Sequence, residues 1–554
     1  MKKKSLLSAV GILLFSAFFP APSVAQYHSN SELTSRIREL GTKYPQLCTV
    51  RSLGKTSAGN DIWLISIGTG NRDSKPAMAV VSGVDGKHIP GRELALGFAT
   101  RILQNSTKNQ IRDLLEKMTF YVIPDASPEA SSQFSSPIRY ERSVNSRPTD
   151  DDRDFQTDED PCEDLNGDGL ITLIRIKDPA GKYLISSEDE RIMAEADLSK
   201  GETGSYHVFT EGTDNDKDGK FNEDGAGGVS FNRNFTYNYE EFGAGTGLYP
   251  VSEPETKAVA DFLFDRFNVY SVITFGPQDN LGQPMKAPDR QTDAGRQNQD
   301  PDQGFTRMQR TKITSIMKSD ETINRLVSEK YHSITGLKGS PAPVSEPGNF
   351  MEWAYFHYGR YSFSTPGWWF SYEKGKNAGA ELLKKSGNEK SSELFVPWTV
   401  TDHPDFPGKT VEVGGLKPFA LINPPADSLP GLIESHYEFI TEVAAMHPEL
   451  EFLDLKSENA GENIFRISLL VHNKGLFATC AEIGDQNIWT RIMRINLEPS
   501  KGQTILSGSK VQRIRRLLGD ESAEFSWLIS GKGTVRISAG SDAVGTISLP
   551  VGLK

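Results

Sequence analysis

Between about residues 33 and 276 the apolar positions switch repeatedly between helical and strand periods. Residues 31-SELTSRIRELGTKYP-45 open on a Ser cap with a following Glu and close on Gly, which predicts a helix. The runs 61-DIWLISIG-68, 77-AMAVVSGV-84, 118-MTFYVIPDA-126 and 269-VYSVITFG-276 read as strands. The stretches 91-GRELALGFATRILQN-105 and 252-SEPETKAVADFLFDRF-267 read as helices, the second opened by a Ser-x-x-Glu capping box. Strands that are apolar on both sides and alternate with helices predict an α/β domain, a sheet covered by helices on both faces.

Two changes of texture divide the chain. Roughly residues 127–250 form a long polar insertion rich in Asp, Gly and Asn. A last strong helix is predicted at 428-SLPGLIESHYEFITEVAAMHP-448, and from Glu449 short alternating segments with turns take over. The segments 463-NIFRISLLVHNKG-475, 487-NIWTRIMRINL-497, 523-AEFSWLISG-531 and 533-GTVRISAG-540 predict a C-terminal β-sandwich over 449–554. The α/β domain is then expected over 28–448.

The N-terminus has a different character. Met1-Lys2-Lys3-Lys4, an apolar run from Leu6 to Phe19 and 20-PAPSVAQ-26 predict a secretory signal peptide over 1–25, cut after Ala25. A secreted or periplasmic location follows as an expectation. No later stretch approaches the ~20 apolar residues of a membrane span. The formal net charge of −12 becomes more negative once the three lysines are removed, which argues against nucleic acid as a partner. Three cysteines, Cys48, Cys162 and Cys480, are too few and too scattered for a disulfide framework.

Candidate chemistry begins at 83-GVDGKHIPGRELAL-96, where Asp85 and His88 sit three residues apart between a strand and a helix. With 53-LGKTSAGNDIWLISIG-68, 229-VSFNRNF-235, 249-YPVSEPET-256 and 350-FMEWAYFHYGRYSFST-365, in that order, the chain resembles the zinc metallocarboxypeptidases of the carboxypeptidase A/T superfamily. The resemblance runs from about Leu33 to Pro448 and is nearest to a secreted bacterial branch with acidic inserts and a C-terminal β domain. It implies a carboxypeptidase-like mixed sheet sandwiched by helices.

It also implies a zinc held by three protein ligands, a carboxylate general base and a cationic clamp for the substrate's terminal carboxylate. Carried over by position, the family's His-x-x-Glu falls on Asp85 and His88, with acid and imidazole exchanged. The third ligand falls on Phe275 and the general base on Pro366, and neither side chain can do that work. No counterpart of the substrate-capping Tyr stands near Val344. Asn232 and Arg233 match the pair that binds the terminal carboxylate, a task for which Arg is well shaped. Lys87 replaces a cationic residue of the ligand motif, and Arg147 stands loosely for the Arg that polarises the scissile carbonyl.

Two functional classes follow. One is a catalytically degenerate member, a pseudoenzyme, whose cleft binds peptide C-termini or a similar carboxylate-bearing ligand such as a cell-wall peptide. The other is an active metallocarboxypeptidase with rewired zinc ligands. On the first reading Asp85 and His88 form a hydrogen-bonded pair lining an old cleft. On the second they need a partner from elsewhere, among which 278-QDN-280, His207, His357 and His403 are available.

The insertion carries a separate signal. Asp150, Asp152 and Asp154, then Asp164, Asn166 and Asp168, then Asp214, Asp216 and Asp218 place oxygens at alternate positions. In the last two sets a Gly follows, as in the first half of an EF-hand-type loop. Glu223 and Asp224 are placed to close the third set. Calcium is the expected cofactor, ordering a long loop over the cleft mouth.

Overall fold

The alternation of strands and helices produces one mixed six-stranded sheet. Its strands are β1 (Cys48–Lys55), β2 (Asp61–Ile67), β3 (Ala77–Val81), β4 (Thr119–Ile123), β9 (Val269–Phe275) and β10 (Tyr361–Thr365), ordered β1-β2-β4-β3-β9-β10. The pairs β1–β2 and β2–β4 are antiparallel, and β4, β3, β9 and β10 are mutually parallel. In this computed structural model residues 27–150, 155–222, 224–288, 312–486 and 490–554 are described. The expected signal peptide 1–25, Asp152, Asp154 and Glu223 lie outside the described residues.

The helices α1 (Asn30–Lys43), α2 (Pro90–Gln104), α3 (Asn109–Lys117), α4 (Pro128–Ser132), α5 (Pro254–Phe264), α6 (Lys318–Thr335), α7 (Phe350–Phe356) and α9 (Leu429–Ala445) belong to this part of the chain. Strands β3, β4 and β9 are buried at every position. Their β-branched and aromatic side chains therefore face helices on both sides. Ser29 rather than Ser31 caps α1, and its box closes with Glu32. The box expected at Ser252 and Glu255 does not form. Ser252 bonds Glu253, while Glu253 and Glu255 are drawn into a buried cluster around Asn145.

The polar insertion is more than a loop. Its strands β5 (Leu173–Lys177), β6 (Tyr183–Ile185), β7 (Met193–Glu195) and β8 (Tyr206–Thr210) join β11 (Phe395–Thr401) and β12 (Val411–Leu416) in a second six-stranded sheet, ordered β11-β12-β5-β8-β6-β7. The strand alternation of 173-LIRIK-177 places Ile174 and Ile176 against Val411 and Val413. Helix α8 (Ala378–Leu394, broken at Gly387) leads into β11.

The C-terminal part is a sandwich of two four-stranded antiparallel sheets, as the alternation predicted. β13 (Leu450–Gly461), β14 (Ile464–Asn473), β16 (Thr504–Ser507) and β18 (Glu521–Ser530) form one. β15 (Arg494–Glu498), β17 (Val511–Arg513), β19 (Gly533–Ser541) and β20 (Gly545–Leu553) form the other. Phe465, Ile467, Trp527, Ile495 and Ile537 fill the space between them. Phe477 packs into the α/β core against Tyr270 and Tyr361. Beside it the buried Asp320 on α6 accepts from Tyr355, from the Glu482 backbone and from Arg516. The sandwich is thus bolted to the α/β part by a polar network that an apolar rim seals.

Candidate functional site

Three parallel strands end side by side. The Gly276 amide after β9 donates to the Thr365 carbonyl of β10 at 3.1 Å. A Cβ on Gly276 would lie 2.3 Å from Cγ2 of Val84, in the turn after β3. The turns following β3, β9 and β10 therefore share one edge of the sheet, the place where α/β sheets bind ligands. Asp85, Phe275 and Pro366 are brought together here.

The Asp85-Gly86-Lys87-His88 turn is tightly held. Asp85, 4% exposed, accepts the Lys87 amide at 3.0 Å, and the His88 amide donates to the Asp85 carbonyl at 3.1 Å. Asn423 clamps the turn from outside, bonding the Lys87 carbonyl and the Ile89 amide. Asp85 Oδ2 and His88 Nδ1 stand 3.8 Å apart, too far for a hydrogen bond, and Nδ1 has no hydrogen-bond partner. The expected hydrogen-bonded pair is therefore not made. Burial pushes the His88 pKa down despite the Asp85 charge, so the imidazole is neutral at pH 7.

The other two positions have become core. Phe275 is 1% exposed, its ring 5.6 Å from that of buried His436, and a Cβ on Gly91 of α2 would meet its Cβ at 2.7 Å. Burial lowers the His436 pKa to about 4, and its ring bonds Tyr331 and the Leu432 carbonyl. After Pro366, Gly367 adopts φ +76°, where any Cβ would strike Leu94.

The suggested substitutes are engaged elsewhere. Asp279 accepts the Gly282 and Gln283 amides, and Asn280 bonds Ser362 and Ser364. His357 bonds Thr236, His403 bonds the Gly212 carbonyl, and His207 stacks on Phe209. Among the described residues no third His, Cys, Asp or Glu comes within ligand spacing of Asp85 and His88. These residues do not fit a three-ligand zinc.

A second polar cluster is built around Asn232 and a carboxylate of this chain. The short turn Phe231–Arg233 carries Asn232, 1% exposed, whose Oδ1 accepts the Phe350 amide at 3.1 Å. Its Nδ2 donates to Gln278 Oε1 at 2.8 Å and to Glu346 Oε2 at 2.9 Å. Gln278 Nε2 donates to the same Glu346 oxygen at 3.1 Å. Arg233 does not join them, since its guanidinium pairs with half-exposed Glu240 at 2.8 Å. Arg147 is likewise taken, bonded to fully buried Glu253 at 2.8 Å. Lys87 enters through its backbone, donating its amide to Asp85 and accepting from Asn423.

Sequence reasoning missed Glu346 altogether. It is the one acid in 337-LKGSPAPVSEPGN-349, a signal that composition alone does not raise. Glu141 was missed too. It accepts the Phe419 amide at 2.9 Å, its charge bears on His88, and it lines a cavity of about 570 Å³. Tyr140, Leu173, Ile192 and Trp398 give that cavity a largely apolar wall.

The three acidic segments differ. Asp150 accepts the Phe155 amide. Asp164 is spent on the amides of Gly167, Asp168 and Gly169, while Asn166 and Asp168 bond their own turn. Asp214, Asp216 and Asp218 alone among the described residues bring ligand oxygens within 4.8 Å of one another. Buried Asp160 supports their loop by accepting the Asn215 and Asn222 amides, and Asp224 is buried beside it, its carbonyl accepting the Asp160 amide.

The zinc carboxypeptidase family matches residues 33–168, and a domain of unknown function matches residues 449–551. Carboxypeptidase E of Caenorhabditis elegans is 25% identical over 108 residues, 19% of this chain and 23% of its own length. Carboxypeptidase B of Astacus astacus is 26% identical over 103 residues, 19% of this chain and 33% of its own length. The chain thus spans a third or less of these relatives.

Among solved structures, bovine thrombin-activatable fibrinolysis inhibitor in complex with tick carboxypeptidase inhibitor has a TM-score of 0.39 at 15% identity, covering 76% of this chain and 97% of that one. Carboxypeptidase A from Helicoverpa armigera gives 0.37 at 15%, covering 62% and 64%. The family match contains the DGKH turn. Asn232, Phe275 and Pro366 lie beyond it.

Proposed function

Because residues 33–168 match the zinc carboxypeptidase family, we propose that the α/β part of this chain is a degenerate member of that superfamily that binds peptide C-termini without cleaving them. One observation carries this reading. The strand ends that would supply a third ligand and a base supply Phe275 and Pro366, while the amides of Asn232 and Gln278 grip a carboxylate, that of Glu346. Loss of a positioned base alone removes a factor of ~10²–10⁴. Recognition needs only donors at the right separation, and those remain. The ligand is a peptide or cell-wall peptide with a free carboxylate, met after secretion to the periplasm or beyond. Calcium at Asp214, Asp216 and Asp218 orders the loop that follows β8.

The test is elemental analysis of tag-free protein together with calorimetric titration and a cleavage assay on peptides with free C-termini. The expected result is no stoichiometric zinc, binding of free-acid peptides in preference to their amides, and no released amino acid. Zinc at one per chain, lost in His88→Ala together with release of C-terminal residues, would instead establish a rewired active carboxypeptidase.

A further inference from the structure

Resting on that reading of the cleft, we propose that Glu346 is a built-in ligand mimic that holds the carboxylate end closed until the 337–347 loop withdraws. Its carboxylate sits where an incoming terminal carboxylate has to go, on the donors Asn232 Nδ2 at 2.9 Å and Gln278 Nε2 at 3.1 Å. Both donors converge on a single oxygen, Oε2. Among the described residues no Lys, Arg or His lies within ion-pair distance of Glu346. An anion held by neutral amides without a cation is bound as a ligand is bound, and a second anion competes with it directly.

The chain around Glu346 is built to present it. Downstream the strap is fixed, because Gly348 donates to the Tyr237 carbonyl at 3.1 Å and accepts the Phe235 amide at 2.9 Å. Gly348 has φ +73°, and a Cβ there would lie 2.5 Å from the Arg233 carbonyl, so only Gly brings the strap this close to the Asn232 turn. Upstream, Ala342 to Ser345 are exposed, and Pro341, Pro343 and Pro347 stiffen the segment so that little entropy is lost in presenting the carboxylate. The upstream end is thus exposed and the fixed end lies on the Asn232 cluster. Arg233, paired with half-exposed Glu240, is near enough in sequence and weakly enough held to close on a ligand once Glu346 leaves.

The test uses the full chain and two probes, acetylated tetra-alanine with a free C-terminus and the same peptide as its C-terminal amide. Titration calorimetry is expected to show that Glu346→Ala binds the free acid at least about tenfold more tightly than the unaltered protein, with the amide unchanged. Glu346→Asp, one methylene too short to reach both amides, behaves in the same direction and guards against a folding defect, which thermal unfolding reports. Asn232→Leu added to Glu346→Ala removes the gain. Equal affinity of the unaltered protein and Glu346→Ala for the free acid overturns the mimic while leaving carboxylate binding in place. An equal gain for acid and amide also overturns it, since the loop was then only in the way. Binding by neither protein overturns both the mimic and the reading on which it rests.

Discussion

The two ends of the cleft have met different fates. At the end to which the resemblance assigns the metal, Asp85 and His88 stand without a hydrogen bond between them, Phe275 is folded into the core and Pro366 follows β10. At the carboxylate end Asn232 keeps its place, buried and oriented by the Phe350 amide, with Gln278 beside it. Catalysis fails on the loss of one ligand or one base, because a metal-bound water needs its full set of partners. Recognition of an anion degrades more gradually, since every N–H donor contributes separately. On the proposed reading, the contrast is that of a cleft that loses its reaction before it loses its grip.

The largest effect is expected from the converted position. Phe275→Ala removes a buried ring between α2 and α9 and is expected to destabilise by about 3–5 kcal/mol. Denaturant unfolding measures this. Binding of free-acid peptides by the folded fraction is expected to change less than about threefold. A variant that keeps its stability but loses binding would show that the ring still serves the ligand, and the comparison would break.

At the intact end, Asn232→Ala leaves the Phe350 amide without its acceptor and Glu346 with one donor fewer. Each buried group stripped of its partner costs ~1–3 kcal/mol, so a total of at least about 2 kcal/mol is expected. Free-acid peptide binding is expected to disappear. Loss of stability without loss of binding would reduce Asn232 to a structural amide.

How much of this contrast was legible in the residues follows from distance along the chain. Local period placed β3, β4, β9 and α2 within a few residues, and the family resemblance pointed to Phe275 and Pro366, which the fold sets at neighbouring strand ends. The second sheet was not legible, because 173-LIRIK-177 finds its partner β12 more than two hundred residues later. The capping box at Ser252 looked sound locally but lost to burial, which draws Glu253 and Glu255 toward Asn145. Glu346 meets Asn232 across 114 positions, and no spacing rule reaches that far.

That acid cluster gives a pH-dependent test of the polar end. Glu255 shares Asn145 with Glu253, which holds Arg147, and its Oε2 is buried without a hydrogen bond. Burial, chiefly, pushes its pKa from the ordinary 4.5 up to about 7. The folded chain therefore holds a proton between those values that the unfolded chain has released. Stability from this group is full below pH 4.5 and is lost as pH rises to about 7. Glu255→Gln abolishes the loss, so it is expected to stabilise by roughly 3 kcal/mol at pH 8 and by almost nothing at pH 4.5. Urea unfolding at both pH values measures the difference. An equal gain at the two would mean that charge is not the cause.

The smallest effect concerns Arg233, the residue that separates a grip from a firm one. Its pair with Glu240 lies at 2.8 Å, but the Glu240 side chain is 50% exposed. Such a pair contributes ~0–1 kcal/mol, since water screens it and two long side chains are ordered to make it. Glu240→Gln is therefore expected to leave thermal stability almost unchanged, within about 0.5 kcal/mol. It also releases the guanidinium, whose planar fork suits a carboxylate. Affinity for a free-acid peptide is expected to rise about two- to fivefold, and the rise is expected to be larger when Glu346→Ala has already cleared the site. Calorimetric titration of the two single variants and the double variant measures that coupling directly. Strict additivity would mean that Arg233 and the Asn232 donors do not act on one ligand, and the intact end of the cleft would then shrink to Asn232 and Gln278 alone.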